Sequence, residues 1–192
     1  SCPGCFYIEG GIMKKICIDP GHGGRDPGAV SGNVKEKDIN LAIAQKLQLL
    51  LYNKGYNVIM TREKDIDIGL YQRANIANNF KADIFVSIHN NAFNNELAQG
   101  TETLCFSGSL QGEKLANLVQ TELVKRLKRP DRGIKSRSDL VVLRYTTMPA
   151  ILVECAFLTN PVERKLLKIN SFQLLAAEGI AEGIDRYFRE VE

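Results

Sequence analysis

The sequence predicts a single α/β domain with a twisted central sheet of about six strands, mostly parallel or mixed, flanked by helices on both faces. Short apolar runs alternate along the chain with longer segments of helical periodicity, which is the pattern of this fold class. No internal repeat, low-complexity tract or Pro/Ser linker divides residues 14–192. We therefore assign that range to one domain and expect residues 1–13 to be an N-terminal leader or an artificial extension.

Five short segments predict strands. Four of them are apolar runs typical of buried strands, and one alternates apolar with polar residues. In chain order the five segments are residues 15–19, 56–61, 84–88, 101–106 and 150–153.

Helices are predicted between these strands. Apolar residues fall on one face of 41–51, and Gly55 is a typical end signal for that helix. Residues 160–163 read Asn-Pro-Val-Glu, with a capping residue, a proline at the first position and a glutamate at the third, which predicts a helix start. Further helical patterns cover residues 70–79, 112–128 and 172–188.

Composition and charge exclude several classes of protein. The 192 residues contain 25 Lys+Arg and 22 Asp+Glu, which gives a net charge of +3, and 44% of them are hydrophobic. This weak and dispersed charge does not favour a nucleic-acid partner. No run approaches the roughly 20 apolar residues of a membrane span, and the N-terminus lacks a signal-peptide pattern. We expect a monomer with no integral membrane segment.

The five cysteines do not form a disulfide framework. Cys17, Cys105 and Cys155 lie in apolar runs, where a free thiol behaves as a small hydrophobic group. Buried reduced thiols indicate folding in a reducing compartment. Cys2 and Cys5 have CxxC spacing but follow no strand, so a redox or metal role for them is the weaker interpretation.

Four polar residues flank the predicted elements and suggest a site. His22 and His89, the two histidines of the chain, follow predicted strands, as does Glu154, while Glu36 precedes the first long helix. Ligand sites of open α/β sheets lie at the carboxyl ends of strands. Two imidazoles, one carboxylate and an open position form a catalytic zinc site, whose water has a pKa lowered to about 7. A second carboxylate then moves the proton.

Spacing alone does not establish that site. A lone histidine is more often structural than metal-binding. Glu36 is also explained as a solvated member of the charged run 35–38 or as a carboxylate favoured by the helix dipole. Glu154 is harder to explain structurally, because a carboxylate directly after a buried strand is costly unless it is paired or functional.

Four motifs in a fixed order point to a family. They are IDPGHGGRDPGA (18–29), EKDINL (36–41), SIHNNA (87–92) and ILVECAFLTN (151–160). Together they resemble zinc-dependent N-acetylmuramoyl-L-alanine amidases of the amidase-3 type, which occur in bacterial autolysins, sporulation amidases and phage endolysins. The resemblance extends over residues 14–188. One departure is Asn-Asn at 90–91, where many members have Ala-Asp.

The resemblance implies that His22, Glu36 and His89 ligate zinc and that Glu154 is the catalytic carboxylate. The implied reaction is hydrolysis of the amide between N-acetylmuramic acid and L-alanine of the stem peptide. Its substrate is peptidoglycan, and its place of action is the bacterial cell wall. Arg144 is a hypothetical oxyanion or substrate-carboxyl contact, because it lies shortly before the last predicted strand.

Further charged residues are interpreted as supports of the site or as structural. Asp19, Arg25 and Asp26 either orient the zinc ligands or form salt bridges within their loop. Arg62 and Arg73 are interpreted as structural. Glu102 either lines the substrate groove or occupies an exposed strand position, and the basic residues 125–132 are interpreted as a helix end.

Two alternative functions remain open at this point. One is a zinc peptidase that cuts within the stem peptide, and the other is a non-catalytic wall-binding module with a structural zinc. The open three-ligand set and Glu154 argue against the module, because structural zinc is normally closed by four protein ligands. Among amidases, an endolysin, an autolysin and a sporulation enzyme are equally compatible with the sequence.

Overall fold

The computed structural model describes residues 13–191. Nearly all of the predicted N-terminal leader, with Cys2 and Cys5, lies outside the described residues, so its role stays a prediction. Cys17, Cys105 and Cys155 are buried free thiols, as predicted. Within residues 13–191, none of the helices combines the length and apolar character that a membrane crossing requires.

A six-stranded mixed sheet forms the centre of the fold. Its strands are β1 (Lys15–Pro20), β4 (Asn57–Met60), β5 (Ile84–Asn91), β6 (Thr101–Phe106), β7 (Asp131–Arg137) and β8 (Ala150–Phe157), and a small separate hairpin contains β2 (Val30–Ser31) and β3 (Val34–Lys35). The strand order is β4-β1-β5-β8-β6-β7. Within this six-stranded sheet, all pairings are parallel except that between β6 and β8. The predicted fold class is confirmed.

Helices cover both faces of this sheet. They are α1 (Glu36–Asn53), α2 (Leu70–Phe80), α3 (Leu110–Leu127), α4 (Val141–Arg144), α5 (Pro161–Leu167) and α6 (Asn170–Val191). Helices α1, α3 and α6 share the larger apolar core with the sheet, and α2 and α4 pack on the opposite face. The predicted cap of α5 is confirmed, because the Asn160 side chain accepts hydrogen bonds from the amides of Val162 and Glu163.

The edge strand β7 was not predicted. Residues 125–132 were interpreted as a helix end, but α3 ends at Leu127, and Lys128 adopts a left-handed conformation with φ 51° that stops the helix. The chain then turns into β7, so Arg132 lies on a strand. The sequence Asp-Arg-Gly-Ile-Lys-Ser-Arg has little apolar pattern because an edge strand is largely exposed.

Two strands that carry site residues are longer than predicted. The apolar runs end at Ile88 and Val153, but β5 continues to Asn91 and β8 to Phe157. His89 and Glu154 therefore lie inside strands and face each other in the β5–β8 register. Residues that pair directly across neighbouring strands project from the same face of the sheet.

Helices α3 and α6 approach so closely that a glycine is required between them. A Cβ atom at Gly183 would lie 2.5 Å from the Cα of Val119. We expect Gly183→Ala to reduce the free energy of unfolding by about 1–3 kcal/mol, because backbone rather than a flexible side chain must move. Chemical denaturation measures this loss. Ser171→Ala, at an exposed position of the same helix, is the control, and an equal effect of both changes would contradict the packing argument.

Candidate metal centre

The loop after β1 carries the first histidine close to the second. Gly21 permits this approach, since a Cβ atom there would lie 2.2 Å from the His89 ring. His22 itself has φ 61°, a left-handed conformation that is uncommon for a residue with a side chain. Strained backbone of this kind persists where surrounding contacts hold it, and it is frequent at functional sites.

Two buried arginines hold that loop in place. Arg62 donates to the carbonyl oxygens of Pro20 and Gly21 at 2.9 Å each. Arg73 donates to the carbonyl oxygens of Pro20 and His22 at 2.7 Å each, and to the Asp19 carboxylate at 2.8 Å. The structural interpretation of both arginines is therefore supported by their contacts.

Three predicted ligands converge at this loop. The His22 Nε2 atom lies 3.1 Å from Glu36 Oε2, and His89 Nδ1 lies 2.9 Å from Glu36 Oε1. The two imidazole rings meet edge to face, with their centroids 4.9 Å apart. One ligand atom from each residue lies within 4.8 Å of the others. Residues that are far apart in the sequence are therefore neighbours in the fold.

Glu36 is the buried centre of the cluster. Its carboxylate also accepts hydrogen bonds from the backbone amides of Ala29 and Asn90, at 2.9 and 3.2 Å. Burial opposes ionisation of this carboxyl, but hydrogen bonds and charge from His22 and His89 hold its pKa far below the usual range. The carboxylate is therefore anionic and fixed in orientation.

Asp26 orients the first histidine. Its Oδ2 atom lies 2.7 Å from His22 Nδ1, where the ring donates its Nδ1 proton and leaves Nε2 turned toward Glu36. Burial lowers the pKa of His22, yet its contacts with Glu36 and Asp26 outweigh burial and raise it to about 9. A carboxylate on the far ring nitrogen is the usual partner of a metal-binding histidine. Arg25 instead forms an exposed salt bridge with Asp67.

Asn40 was missed by the sequence interpretation. It is buried on α1, and its side chain donates to Glu36 Oε1 and to the carbonyl oxygen of Gly21, both at 3.2 Å. Asn90 then donates to Asn40 Oδ1 at 2.8 Å. The available signal was spacing, because Asn40 follows Glu36 by four residues and so shares its helix face.

The cluster suits a divalent transition metal. It offers two imidazole nitrogens and one carboxylate oxygen, which are ligands that zinc accepts, and among residues 13–191 no fourth protein ligand joins it. The adjoining cavity of about 400 Å³ gives access to both histidines, and its lining combines apolar residues such as Leu70 and Val141 with charged ones such as Asp67. These observations fit a metal centre with an open position.

Glu154 lies beside this cluster, and its side chain is incompletely hydrogen-bonded. It pairs in register with His89 across β5 and β8, and its Oε2 atom is buried without a hydrogen-bond partner among residues 13–191. Burial raises the pKa of this carboxyl to about 7; the charge of His89 opposes the increase, and the Glu36 and Glu102 carboxylates add to it. A buried carboxyl with raised pKa beside an open cluster is typical of a proton-transfer group.

Arg144 is not brought into this arrangement. It lies at the end of α4 and lines a different cavity with Pro149 and Ala150, at the start of β8. Glu154 stands four residues further along that strand. The placement gives no support to a direct contact between Arg144 and the reacting groups.

Comparison with known proteins gives concordant results. The profile of the Amidase_3 family, described as N-acetylmuramoyl-L-alanine amidase, matches residues 16–186. The germination-specific N-acetylmuramoyl-L-alanine amidase of Bacillus subtilis is 36% identical over 191 residues, with 92% of this chain and 81% of the relative covered. The endolysin of Bacillus phage SPP1 is 42% identical over 181 residues, with coverages of 90% and 65%.

A solved structure extends the match to the fold. The crystal structure of an N-acetylmuramoyl-L-alanine amidase from Clostridium difficile 630 superposes with a TM-score of 0.90 at 43% sequence identity. The match covers 94% of this chain and 99% of that structure. The fold and the sequence therefore point to the same family.

Proposed function

This chain belongs to the Amidase_3 family of N-acetylmuramoyl-L-alanine amidases, and we propose that it performs the reaction with one zinc ion held by His22, Glu36 and His89. The observation that carries this proposal is the convergence of these three side chains beside the buried carboxyl of Glu154. The scissile bond is the amide between N-acetylmuramic acid and L-alanine in peptidoglycan. The proposed place of action is the bacterial cell wall, which suits the amidase and endolysin relatives.

A zinc ion at this position would supply a Lewis acid and a water molecule of lowered pKa. Glu36 supplies the negative charge of the ligand set, and Asp26 keeps the His22 ring in the orientation that offers Nε2. Asn40 restrains Glu36 through its amide. These contacts fix the side chains of the proposed ligands before substrate binds, so the side chains need little rearrangement during the reaction.

Glu154 is the proposed proton carrier. In the described part of the chain no donor contacts its Oε2 atom, so this atom is free to accept a proton from the attacking water and to return it to the leaving amine nitrogen of L-alanine. A group that both takes and gives a proton works best when its pKa is near the operating pH. Both histidines of the chain are assigned to the metal, so a carboxyl must do this work.

Digestion of purified peptidoglycan tests the proposed function. We expect mass spectrometry to detect intact stem peptides with a free L-alanine amino terminus and glycan strands whose muramic acid carries a free lactyl carboxyl. Fragments cut between stem residues would instead support the zinc peptidase alternative. Binding to the wall without product release would support the non-catalytic module.

Metal dependence is tested in the same digestion. We expect a chelator to abolish product release and stoichiometric zinc to restore it, since three protein ligands leave the metal exchangeable. Circular dichroism of the chelated protein controls for unfolding. Full activity of protein shown by elemental analysis to contain no metal would contradict the proposed mechanism.

A further inference from the structure

A second cavity, of about 380 Å³, lies next to the proposed metal centre and is lined by other residues. Its lining includes Asn91, Phe93, Leu97, Glu102, Arg132 and Phe157. None of these is among the proposed metal ligands, and the proton transfer assigned to Glu154 does not use them.

The cavity is aligned with the centre by strand register. His89 on β5 pairs with Glu154 on β8, and Glu154 pairs in turn with Glu102 on β6. Paired residues share a face of the sheet, so the three side chains form a row that leads from the metal ligands to the second cavity. Arg132, on β7, reaches back to the end of that row.

The Arg132 side chain is held as an oriented cation. Its Nε donates to Glu102 Oε2 at 2.8 Å, and its guanidinium carbon lies 4.9 Å from the centroid of the Phe157 ring. Glu102 is in turn fixed by Asn91, whose Nδ2 donates to Oε1 at 2.8 Å. Within residues 13–191 the two Nη nitrogens of Arg132 donate to no partner, and its side chain is 40% exposed.

The remaining wall of the cavity is mainly apolar, with Asn95 as its polar member. Phe93 and Leu97, on the segment between β5 and β6, are 62% and 80% exposed. A free guanidinium edge presents parallel donors that match a carboxylate. The cavity therefore suits an extended ligand that combines a carboxylate with aliphatic surface.

We propose that Arg132 binds a carboxylate of the stem peptide, on the peptide side of the scissile amide, with Glu102 and Phe157 positioning its guanidinium. This inference rests on the proposed amidase function. The lactyl carboxyl of muramic acid is consumed in the scissile amide, so the free carboxylates of the substrate belong to the peptide. A single oriented cation binds such a carboxylate more tightly than a neutral group of the same shape.

The distance along the row indicates which carboxylates are in reach. The guanidinium contacts Glu102 on β6 and Phe157 on β8, which places it about one to two strand spacings, or 5–10 Å, from the position of Glu154. An extended peptide advances about 3.3–3.6 Å per residue. The recognised carboxylate therefore belongs to one of the first three residues of the stem.

A surface role is the alternative for Arg132, because charged residues on edge strands also prevent association between sheets. Arg137, on the same strand, illustrates that role. Its Nε and Nη2 donate two hydrogen bonds to Asp139, at 2.7 and 2.6 Å, so its guanidinium is already paired with a carboxylate in bidentate fashion. Arg137→Gln is therefore the matched control.

The test compares muramyl tripeptides whose free carboxylates are converted one at a time to carboxamides. For the zinc-loaded wild-type enzyme, we expect one conversion to lower kcat/KM at least about tenfold, as expected for a lost charge-assisted hydrogen bond. For Arg132→Gln the same conversion should change kcat/KM less than about twofold. Arg137→Gln should discriminate as the wild type does.

The outcomes separate this inference from the proposed function. Equal hydrolysis of all tripeptides by the wild type would contradict the proposed carboxylate-binding site but leave the amidase proposal intact. This comparison uses the wild-type enzyme alone. Discrimination retained by Arg132→Gln would also overturn it. Failure to release L-alanine-led peptides from any substrate would contradict the proposed function itself.

Discussion

Glu154→Gln is expected to lower kcat by about 10²–10⁴-fold while the protein still binds zinc with wild-type stoichiometry. Glutamine has nearly the size of glutamate but cannot accept a proton from water and pass it to the leaving amine. The proposed metal ligands His22, Glu36 and His89 are not altered by the change. Steady-state hydrolysis of a muramyl peptide and elemental analysis of the purified variant measure the two quantities.

A carboxylate elsewhere provides the control for this change. Glu178, on α6, forms a salt bridge with Arg126 and is far along the chain from the proposed metal ligands. Glu178→Gln should therefore retain wild-type kcat. Turnover of Glu154→Gln within a few fold of the wild type would remove Glu154 from the mechanism. Loss of zinc by the same variant would show that its effect is indirect.

The free energy of unfolding of Glu154→Gln shows whether its low activity comes from the missing proton carrier or from an unstable fold. The pKa of Glu154 rises from its ordinary value of 4.5 to about 7 in the folded protein because of burial. The folded state then binds more protons than the unfolded state between these values, so the wild type loses stability as pH rises through this window. In metal-free protein, the variant should match the wild type near pH 4 and exceed it at pH 8 by up to about 3 kcal/mol.

Local sequence patterns were sufficient for most of the sheet but not for its polar ends. Apolar runs such as 84–88 and 150–153 identified buried strands, because two covered faces require continuous hydrophobicity. They did not show that β5 and β8 continue through His89 and Glu154. The backbone pairing of those residues is long-range, and a hydrophobicity pattern does not report it. The edge strand β7 was missed because it is largely exposed and its sequence has little apolar pattern.

The candidate site likewise contains residues that the sequence predicted and residues that it did not. Ordered motifs identified His22, Glu36 and His89 as ligand candidates, and the structure brings these three residues together. Asn40 carries a weak signal through its helical spacing from Glu36. The juxtaposition of Arg132 with Glu102 has no local signal, because it depends on the pairing of β6 with both β7 and β8.

Glu36→Gln is expected to weaken zinc binding by more than about 100-fold and to abolish turnover at limiting zinc. The change removes the one carboxylate of the proposed ligand set while preserving side-chain size, and it leaves His22 and His89 without the carboxylate that now holds both rings. Competition with a chromogenic zinc chelator measures the affinity directly and does not depend on activity.

The nearest comparable carboxylate makes this prediction specific. Asp38 lies in the same first turn of α1 but is exposed, so Asp38→Asn removes the same charge from the same helix end without touching the cluster. If the macrodipole or general electrostatics held the metal, both variants would lose affinity to a similar degree. If Glu36 is a ligand, only Glu36→Gln should lose it, and excess zinc should restore binding without restoring full turnover. Unchanged zinc affinity in Glu36→Gln would rule out the proposed centre, whatever the enzyme's activity.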